Sequence, residues 1–276
     1  MKIDVLVEVG LALLAGGFLI LGFGAGADDV REFDLAQRTP DSVRVMTWNV
    51  GGRAGEGGHA LSDELLDHVA ALIEEVGPDL CFLQEVEDYA QLERLLTRLQ
   101  GPWRWMISRA GGRRVAALAP SGEFRPVRSA ELAQRSLALE LTLPTGTTLL
   151  ALGLHAHAWS SEERNREIGG AVNVLLDAGR GLPRLLLGDL NLDLDLDKRR
   201  DLFSDDAYRD VETYNFVADR LVDAAGGTGP TAEPDRRLDY VFVSPDLISV
   251  QQAGPLRDRR AADMDHDPVL ADLTIN

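Results

Sequence analysis

The chain has 276 residues with 45% hydrophobic and 26% charged content, enough length and apolar material for a sizeable core and too ordinary a mixture for a fibre or a disordered chain. Its formal net charge of -17 argues against a protein that grips nucleic acid through a broad basic face, because such binding rests on Lys and Arg neutralising phosphates. With Cys81 as the single cysteine, no intramolecular disulfide can support the fold; Cys81 lies in the apolar run Leu80-Cys81-Phe82-Leu83 and reads as a small buried hydrophobe.

In chain order, the first segment runs from Val9 to Ala27 without a charged residue and is rich in glycine. About twenty apolar residues cross a bilayer as a helix, so residues 9–27 read as a membrane anchor, or as a signal peptide with Ala25-Gly26-Ala27 as a small-residue cleavage site. The weak positive charge before it, with Lys2 offset by Asp4 and Glu8, tells against the signal peptide, and its glycines tell against a buried soluble helix. The chain is then membrane-anchored or exported, and cytoplasmic if the segment does not insert. Residues 28–41, charged and ending in Thr39-Pro40, read as a linker.

From residue 42 onward, strand-like and helical runs alternate. Val43 to Trp48 predicts a strand; Ser62 caps a helix with apolar residues at Leu65, Leu66, Val69, Leu72, Ile73 and Val76, stopped by Gly77-Pro78. Leu80 to Leu83 predicts a short buried strand and Tyr89 to Leu99 a second helix. Residues 103–107, 114–119, 136–143 and 148–155 predict consecutive strands, with a hairpin turn at Pro144-Thr145-Gly146. Residues 161–178 read as a helix, and residues 184–188, 238–243 and 268–275 as the last strands. No internal repeat or second linker appears, so residues 42–276 form one mixed α/β domain.

Polar residues interrupt these strands at their ends, where a rigid sheet positions what a loop exposes. Asn49 follows Val43 to Trp48, Glu85 follows Leu80 to Gln84, His155 ends Leu149 to Leu154, Asp189 and Asn191 follow Leu185 to Gly188, and Asp265-His266 precedes the last strand. Carboxylates and amide oxygens suit a hard cation such as Mg²⁺ or Mn²⁺, which polarises a phosphoryl oxygen and stabilises a leaving oxygen. An amide and two imidazoles stabilise charge on phosphoryl oxygens.

The segments Thr47-Trp48-Asn49-Val50, Leu83-Gln84-Glu85-Val86, Gly188-Asp189-Leu190-Asn191, Arg237-Leu238-Asp239-Tyr240 and Asp265-His266-Asp267-Pro268, in this order, resemble the endonuclease/exonuclease/phosphatase superfamily over residues 43–275. The resemblance implies a four-layer α/β/β/α sandwich of two mixed β-sheets flanked by helices, and metal-dependent hydrolysis of a phosphoester by direct water attack. It implies Glu85 as the main ligand of Mg²⁺ or Mn²⁺, with Asn49 and Asp265 completing the metal environment. Asp189 would activate water, Asn191 hold a phosphoryl oxygen, Asp239 orient His266, and His155 stabilise the transition state. The motif Leu154-His155-Ala156-His157 lacks the usual threonine, leaving two histidines that strand alternation puts on the same face and of which position favours His155. Val50-Gly51-Gly52 lacks the aspartate that apurinic endonucleases place two residues beyond the asparagine.

The expected substrate is a phosphoester, nucleic acid before phospholipid, with phosphomonoesters third and no obligate protein partner evident. The rival of another class is a binding module that has kept the fold. Several features have blander readings: Asp193, Asp195 and Asp197 as a solvated face, residues 51–58 as a glycine-rich loop, His59 and His68 as surface residues, and Trp103 and Trp105 as packing residues. Arg164 and Arg166 read as exposed on the helix after His155, with Arg166 a candidate to reach the substrate phosphate, and Trp159 is the tryptophan best placed for a loop contact with substrate.

Overall fold

The computed structural model describes residues 33–52, 60–109, 113–195 and 208–276. The candidate anchor at 9–27, residues 28–32 of the expected linker, residues 53–58 of the glycine-rich loop, His59 and Asp197 lie outside the described residues. Among the described residues no helix is long and apolar enough to cross a membrane.

Among the described residues, twelve strands form two six-stranded sheets. The first contains β1 (Val43–Asn49), β2 (Leu80–Val86), β3 (Arg104–Ile107), β4 (Arg114–Ala119), β11 (Ile248–Pro255) and β12 (Val269–Ile275), in the order β11-β12-β1-β2-β4-β3. The second contains β5 (Glu123–Val127), β6 (Ser136–Thr142), β7 (Thr148–His155), β8 (Arg184–Asp189), β9 (Val222–Asp223) and β10 (Asp239–Val243), in the order β5-β6-β7-β8-β10-β9. The helices α1 (Asp63–Val76) and α2 (Tyr89–Leu96) cover the first sheet, and α3 (Ser161–Ala178) and α4 (Asp210–Ala218) cover the second.

This layering follows from two-sided strands. In β7, Leu149 and Ala151 face the first sheet, while Leu150, Leu152 and Leu154 face α3. In β2, Leu80 and Phe82 join the core between the sheets, while Cys81 and Leu83 join the core under α1. Strands buried on both faces read as near-continuous apolar runs, which is how these segments read in the sequence. Burial pushes the Cys81 thiol well above its ordinary range, which suits a packing residue and not a nucleophile.

Each sheet carries one parallel pair, β1 with β2 and β7 with β8, joined through α1 and α3 respectively. The C-terminal ends of these four strands meet at one edge of the sandwich, the usual place for function in a β-α-β arrangement. The helices are held by local chemistry. Ser62 Oγ accepts from Leu65 N at the start of α1, Asp63 and Glu64 sit in its first turn, and Gly77 closes it in the left-handed conformation at φ 57°.

Residues 33–41 are not a free linker. Phe33 is buried in the core under α1, and Arg38 donates to Asp79 Oδ2 at 2.5 Å and to Gly77 O at 2.9 Å. Phe33 is the aromatic of this charged stretch, and its burial draws the chain onto the domain. Four elements, β5, β9, β11 and α4, were not expected from the sequence. Pro126 lies in β5, which is tolerated because β5 is an edge strand. A register shift between Val250 and Gln252 breaks the alternation of β11, and β9 spans only two residues. The buried face of α4 is formed by Asp210, Thr213 and Val217, so its apolar period is weak.

Candidate active site

Strand register brings the polar strand ends together. Asn49 pairs with Gln84 across β1 and β2, and His155 pairs with Asp189 across β7 and β8. The second register needs Gly188: at φ 146°, a Cβ there would lie 1.8 Å from the carbonyl oxygen of Leu154. The strands running the other way deliver the remaining groups, since Asp239 opens β10 opposite Asp189, and His266 precedes β12. Trp48 Nε1 donates to His266 O at 3.0 Å and fixes that last segment to β1.

Glu85 is aimed by an irregularity. The β2–β4 register shifts between Leu83 and Val86, and Glu85 takes φ 61°, an unusual conformation for a non-glycine residue. This turns a side chain from a fully buried strand towards the open edge. Gly51 makes room for it, because a Cβ at that position would stand 2.2 Å from Glu85 Oε2. The position where apurinic endonucleases carry an aspartate is here filled by the Glu85 carboxylate.

Asp189 lies at the centre, buried. Its Oδ2 accepts from Asn49 Nδ2 at 3.0 Å and stands 3.6 Å from His155 Nε2 and 3.8 Å from His266 Nε2; its Oδ1 accepts from Asn191 N at 3.0 Å. His155 Nε2 is also 3.8 Å from Glu85 Oε1. Asn191, at φ 50°, donates through Nδ2 to Ala156 O at 3.1 Å. His266 Nδ1 lies 2.8 Å from Asp239 Oδ2, which also accepts from Thr231 Oγ1 at 2.7 Å. The carboxylate therefore places the His266 proton on Nδ1 and turns Nε2 towards Asp189. Thr231 and Arg113, whose Nη1 stands 3.6 Å from Glu85 Oε1, belong to this constellation and were not singled out by the sequence.

Burial raises Asp189 to about 7, against the opposing pull of the positive charge on His266. For His266 burial acts downward, but the carboxylates of Asp239 and Asp189 outweigh it and raise the imidazole to about 10. Asp265, half-buried, is raised by burial, relieved by His266 and raised again by the negative charge of Glu85. The site gathers Glu85, Asp189, Asp239 and Asp265 around two imidazoles, a surplus of buried negative charge that a divalent cation would relieve.

Where that cation fits follows from what each group already does. Asp189, Asp239 and His266 have potential ligand atoms within 4.8 Å of one another. However, His266 Nδ1 is engaged by Asp239, and both Asp189 oxygens already accept hydrogen bonds. Glu85 and Asp265 are further hard oxygen donors of the site, close enough for the charge of Glu85 to act on Asp265, and fit better. Asn49 Oδ1 accepts from Gly51 N at 3.0 Å, and its NH₂ faces Asp189 Oδ2 at 3.0 Å and Glu85 Oε1 at 3.5 Å, so it also orients the carboxylates.

Other expectations are corrected. His157 lies beyond the end of β7, so strand alternation does not carry it to the face of His155; its Nδ1 accepts from Trp159 N and Ser160 N at 3.2 and 3.0 Å. Arg164 is fully buried and pairs with Asp210, and Asp193 is buried against Arg236 at 2.9 Å instead of lying on a solvated face. His68 is half-buried, with Nε2 2.7 Å from Arg259 O. Arg166 is exposed and paired with Glu163, away from the central cluster. Trp159 is exposed, on the loop between His155 and α3.

The model of the Endonuclease/Exonuclease/phosphatase family matches residues 46–262. The chain belongs to this family. Among solved structures of that fold, the catalytic domain of human nocturnin with bound sulfate has 21% identity and a TM-score of 0.64, covering 89% of this chain and 99% of its own. A mannosyl-6-phosphatase from Bacteroides thetaiotaomicron has 19% identity and a TM-score of 0.62, covering 84% and 99%. Truncated TDP2 from Caenorhabditis elegans has 19% identity and a TM-score of 0.56, covering 84% and 98%. No curated protein matches the chain. The fold is thus the two-sheet sandwich of this family of phosphoester hydrolases, and the similarity to these structures is one of fold, since function sits in the site and not in the layers.

Proposed function

We propose that the chain is a Mg²⁺- or Mn²⁺-dependent phosphodiesterase that cleaves nucleic acid by direct attack of water. The observation that carries this reading is the single carboxylate oxygen, Asp189 Oδ2, shared among His155 Nε2, His266 Nε2 and Asn49 Nδ2 at 3.6, 3.8 and 3.0 Å. A water beside that oxygen loses its proton to Asp189, a stronger acceptor than an exposed carboxylate because burial has raised it to about 7. Asp239 keeps the His266 imidazole charged and oriented, so that Nε2 donates to a phosphoryl oxygen as charge builds there. His155 presents Nε2 to the same space, and Asn191 flanks it. Glu85 and Asp265 would hold a divalent cation, which when bound would supply Lewis-acid neutralisation of the phosphoryl and leaving oxygens.

A nucleic acid substrate is supported by the open cleft of about 1080 Å³ beside the site, lined in part by Arg113, Arg135 and Arg166. A phospholipid substrate would draw its support from residues 9–27, which lie outside the described residues.

The test is hydrolysis of DNA, RNA, sphingomyelin, inositol phosphates and mannose 6-phosphate by the full chain, with Mg²⁺ or Mn²⁺ and with chelator. Chelator-sensitive cleavage of DNA or RNA is expected, falling at least about a hundredfold in Asp189→Ala, the scale of losing a general base. Turnover confined to the lipid or the monoesters would overturn the nucleic acid reading. No turnover by folded protein would favour the binding module.

A further inference from the structure

We infer that the cleft beside the catalytic centre is a second anion subsite, centred on Arg135, that reads a phosphate neighbouring the scissile one. This rests on the phosphodiesterase reading and adds a requirement to it: the productive substrate carries a second phosphate.

The register places the subsite. Ser136 pairs with Leu154, so the next pair outward sets Arg135 opposite His155, and His155 N donates to Arg135 O at 2.9 Å. Directly opposed residues of an antiparallel pair share one face, with Cβ atoms roughly 5 Å apart. Arg135 stands in the turn just before β6, and its side chain lines the cleft together with Arg113, whose Nη1 is 3.6 Å from Glu85 Oε1. Arg135 is half-buried and makes no side-chain hydrogen bond or ion pair among the described residues. A half-buried guanidinium with no protein acceptor in a chain with a formal net charge of -17 is a ready acceptor of anions.

The rest of the lining agrees. Arg113, at 3.6 Å from Glu85 Oε1, stands where the cleft opens onto the metal ligands, and Arg166 lies on the outer rim. His157 adds a neutral donor. Two backbone N–H groups point at its Nδ1, so that atom is the acceptor and the ring proton sits on Nε2. The lining also carries Glu167, whose Oε2 accepts from His157 N at 2.8 Å, and Glu131, exposed at the rim beside Asn173; among the described residues neither is ion-paired with Arg135. About 1080 Å³ is far more than one phosphate needs and is of the size that takes a nucleotide.

The experiment measures equilibrium binding of three fluorescent dinucleotides, carrying a 5′-phosphate, a 3′-phosphate or no terminal phosphate, to the full Asp189→Ala chain in Mg²⁺. One terminal phosphate is expected to tighten binding about tenfold, the scale of a charge-assisted hydrogen bond. That preference is expected to vanish in Arg135→Gln, to persist in part in Arg135→Lys, and to survive Arg180→Gln, which removes an exposed arginine paired only with Asp177. Equal binding of all three dinucleotides, or a preference that survives Arg135→Gln, overturns the subsite. Arg166→Gln should weaken the preference less than Arg135→Gln and serves as a second variant should the first not fold. Turnover of diesters without a phosphate preference would sink the subsite alone; a phosphate preference without turnover would sink the diesterase reading alone.

Discussion

Asp239 Oδ2 is shared by two donors, Thr231 Oγ1 at 2.7 Å and His266 Nδ1 at 2.8 Å, and Thr231 Oγ1 itself accepts from Leu238 N and Asp239 N at 3.1 and 3.0 Å. Thr231 is thus a positioning residue: it pins the start of β10 and draws negative charge from the oxygen that holds the His266 proton. Thr231→Val should lower kcat about tenfold with little change in KM, and Thr231→Ser should restore most of it. Because the whole negative charge of Asp239 then falls on His266, the alkaline limb of the pH–rate profile should move to higher pH; an unmoved profile with a lower melting temperature would mean that the threonine is only structural. Strand-end position was enough to pick out Glu85, His155, Asp189, Asn191 and His266, which the fold gathers, and the family resemblance added Asp239. Thr231 and Arg113 escaped because each acts from a loop on a partner in another element, and no local period marks such a contact. Nor does spacing show that Gly51 N–H donates to the Asn49 oxygen and leaves its NH₂ facing Asp189.

Between elements, the Arg164–Asp210 pair joins the first turn of α3 to the first residue of α4, with Nε and Nη2 within 2.8–3.0 Å of the carboxylate and both side chains fully buried. The network continues through Asp193 N, which donates to Asp210 Oδ2 at 3.1 Å, to the Asp193–Arg236 pair, and so braces the segment that follows Asn191. Arg164→Ala leaves a buried carboxylate without its cation and should destabilise the chain by about 3–5 kcal/mol in urea denaturation. Arg164→Met with Asp210→Leu should recover much of that loss, because removing both charges also removes the unpaired one. A loss below about 1 kcal/mol in the single variant would show that water reaches Asp210. Helical spacing does predict residues 161–178, matching α3 in full, but an arginine reads as exposed unless its partner is known. That partner lies on α4, whose buried face carries Asp210 and Thr213, so the element and the salt bridge were hidden by the same polarity.

For the whole molecule, the acidic excess and the site act on stability in the same direction and must be separated. In metal-free protein His266 is raised from 6.5 to about 10, so its contribution is fully present below pH 6.5 and is lost as pH rises through 10. Asp189 is raised from 3.8 to about 7, so the folded chain also holds that proton more tightly, and its contribution is lost as pH rises through 7. The full chain in chelator should therefore show a falling melting temperature between pH 6.5 and 9.5. General repulsion at a formal net charge of -17 also disfavours the compact state, but it is common to wild type and variants. His266→Gln isolates the site: it removes the imidazole's share of the fall, which runs up to pH 10, while Asp189, freed of that positive charge, is held higher still, so the slope towards pH 9.5 should change from that of the wild type. Saturating Mg²⁺ or Mn²⁺ should flatten the slope, since a cation at Glu85 and Asp265 replaces the proton charge that the empty carboxylate cluster retains. A chelated wild type and His266→Gln with the same slope from pH 6.5 to 9.5 would show that the Asp239–His266–Asp189 chain does not hold its proton, and that the acidic surface alone governs the alkaline stability of the protein.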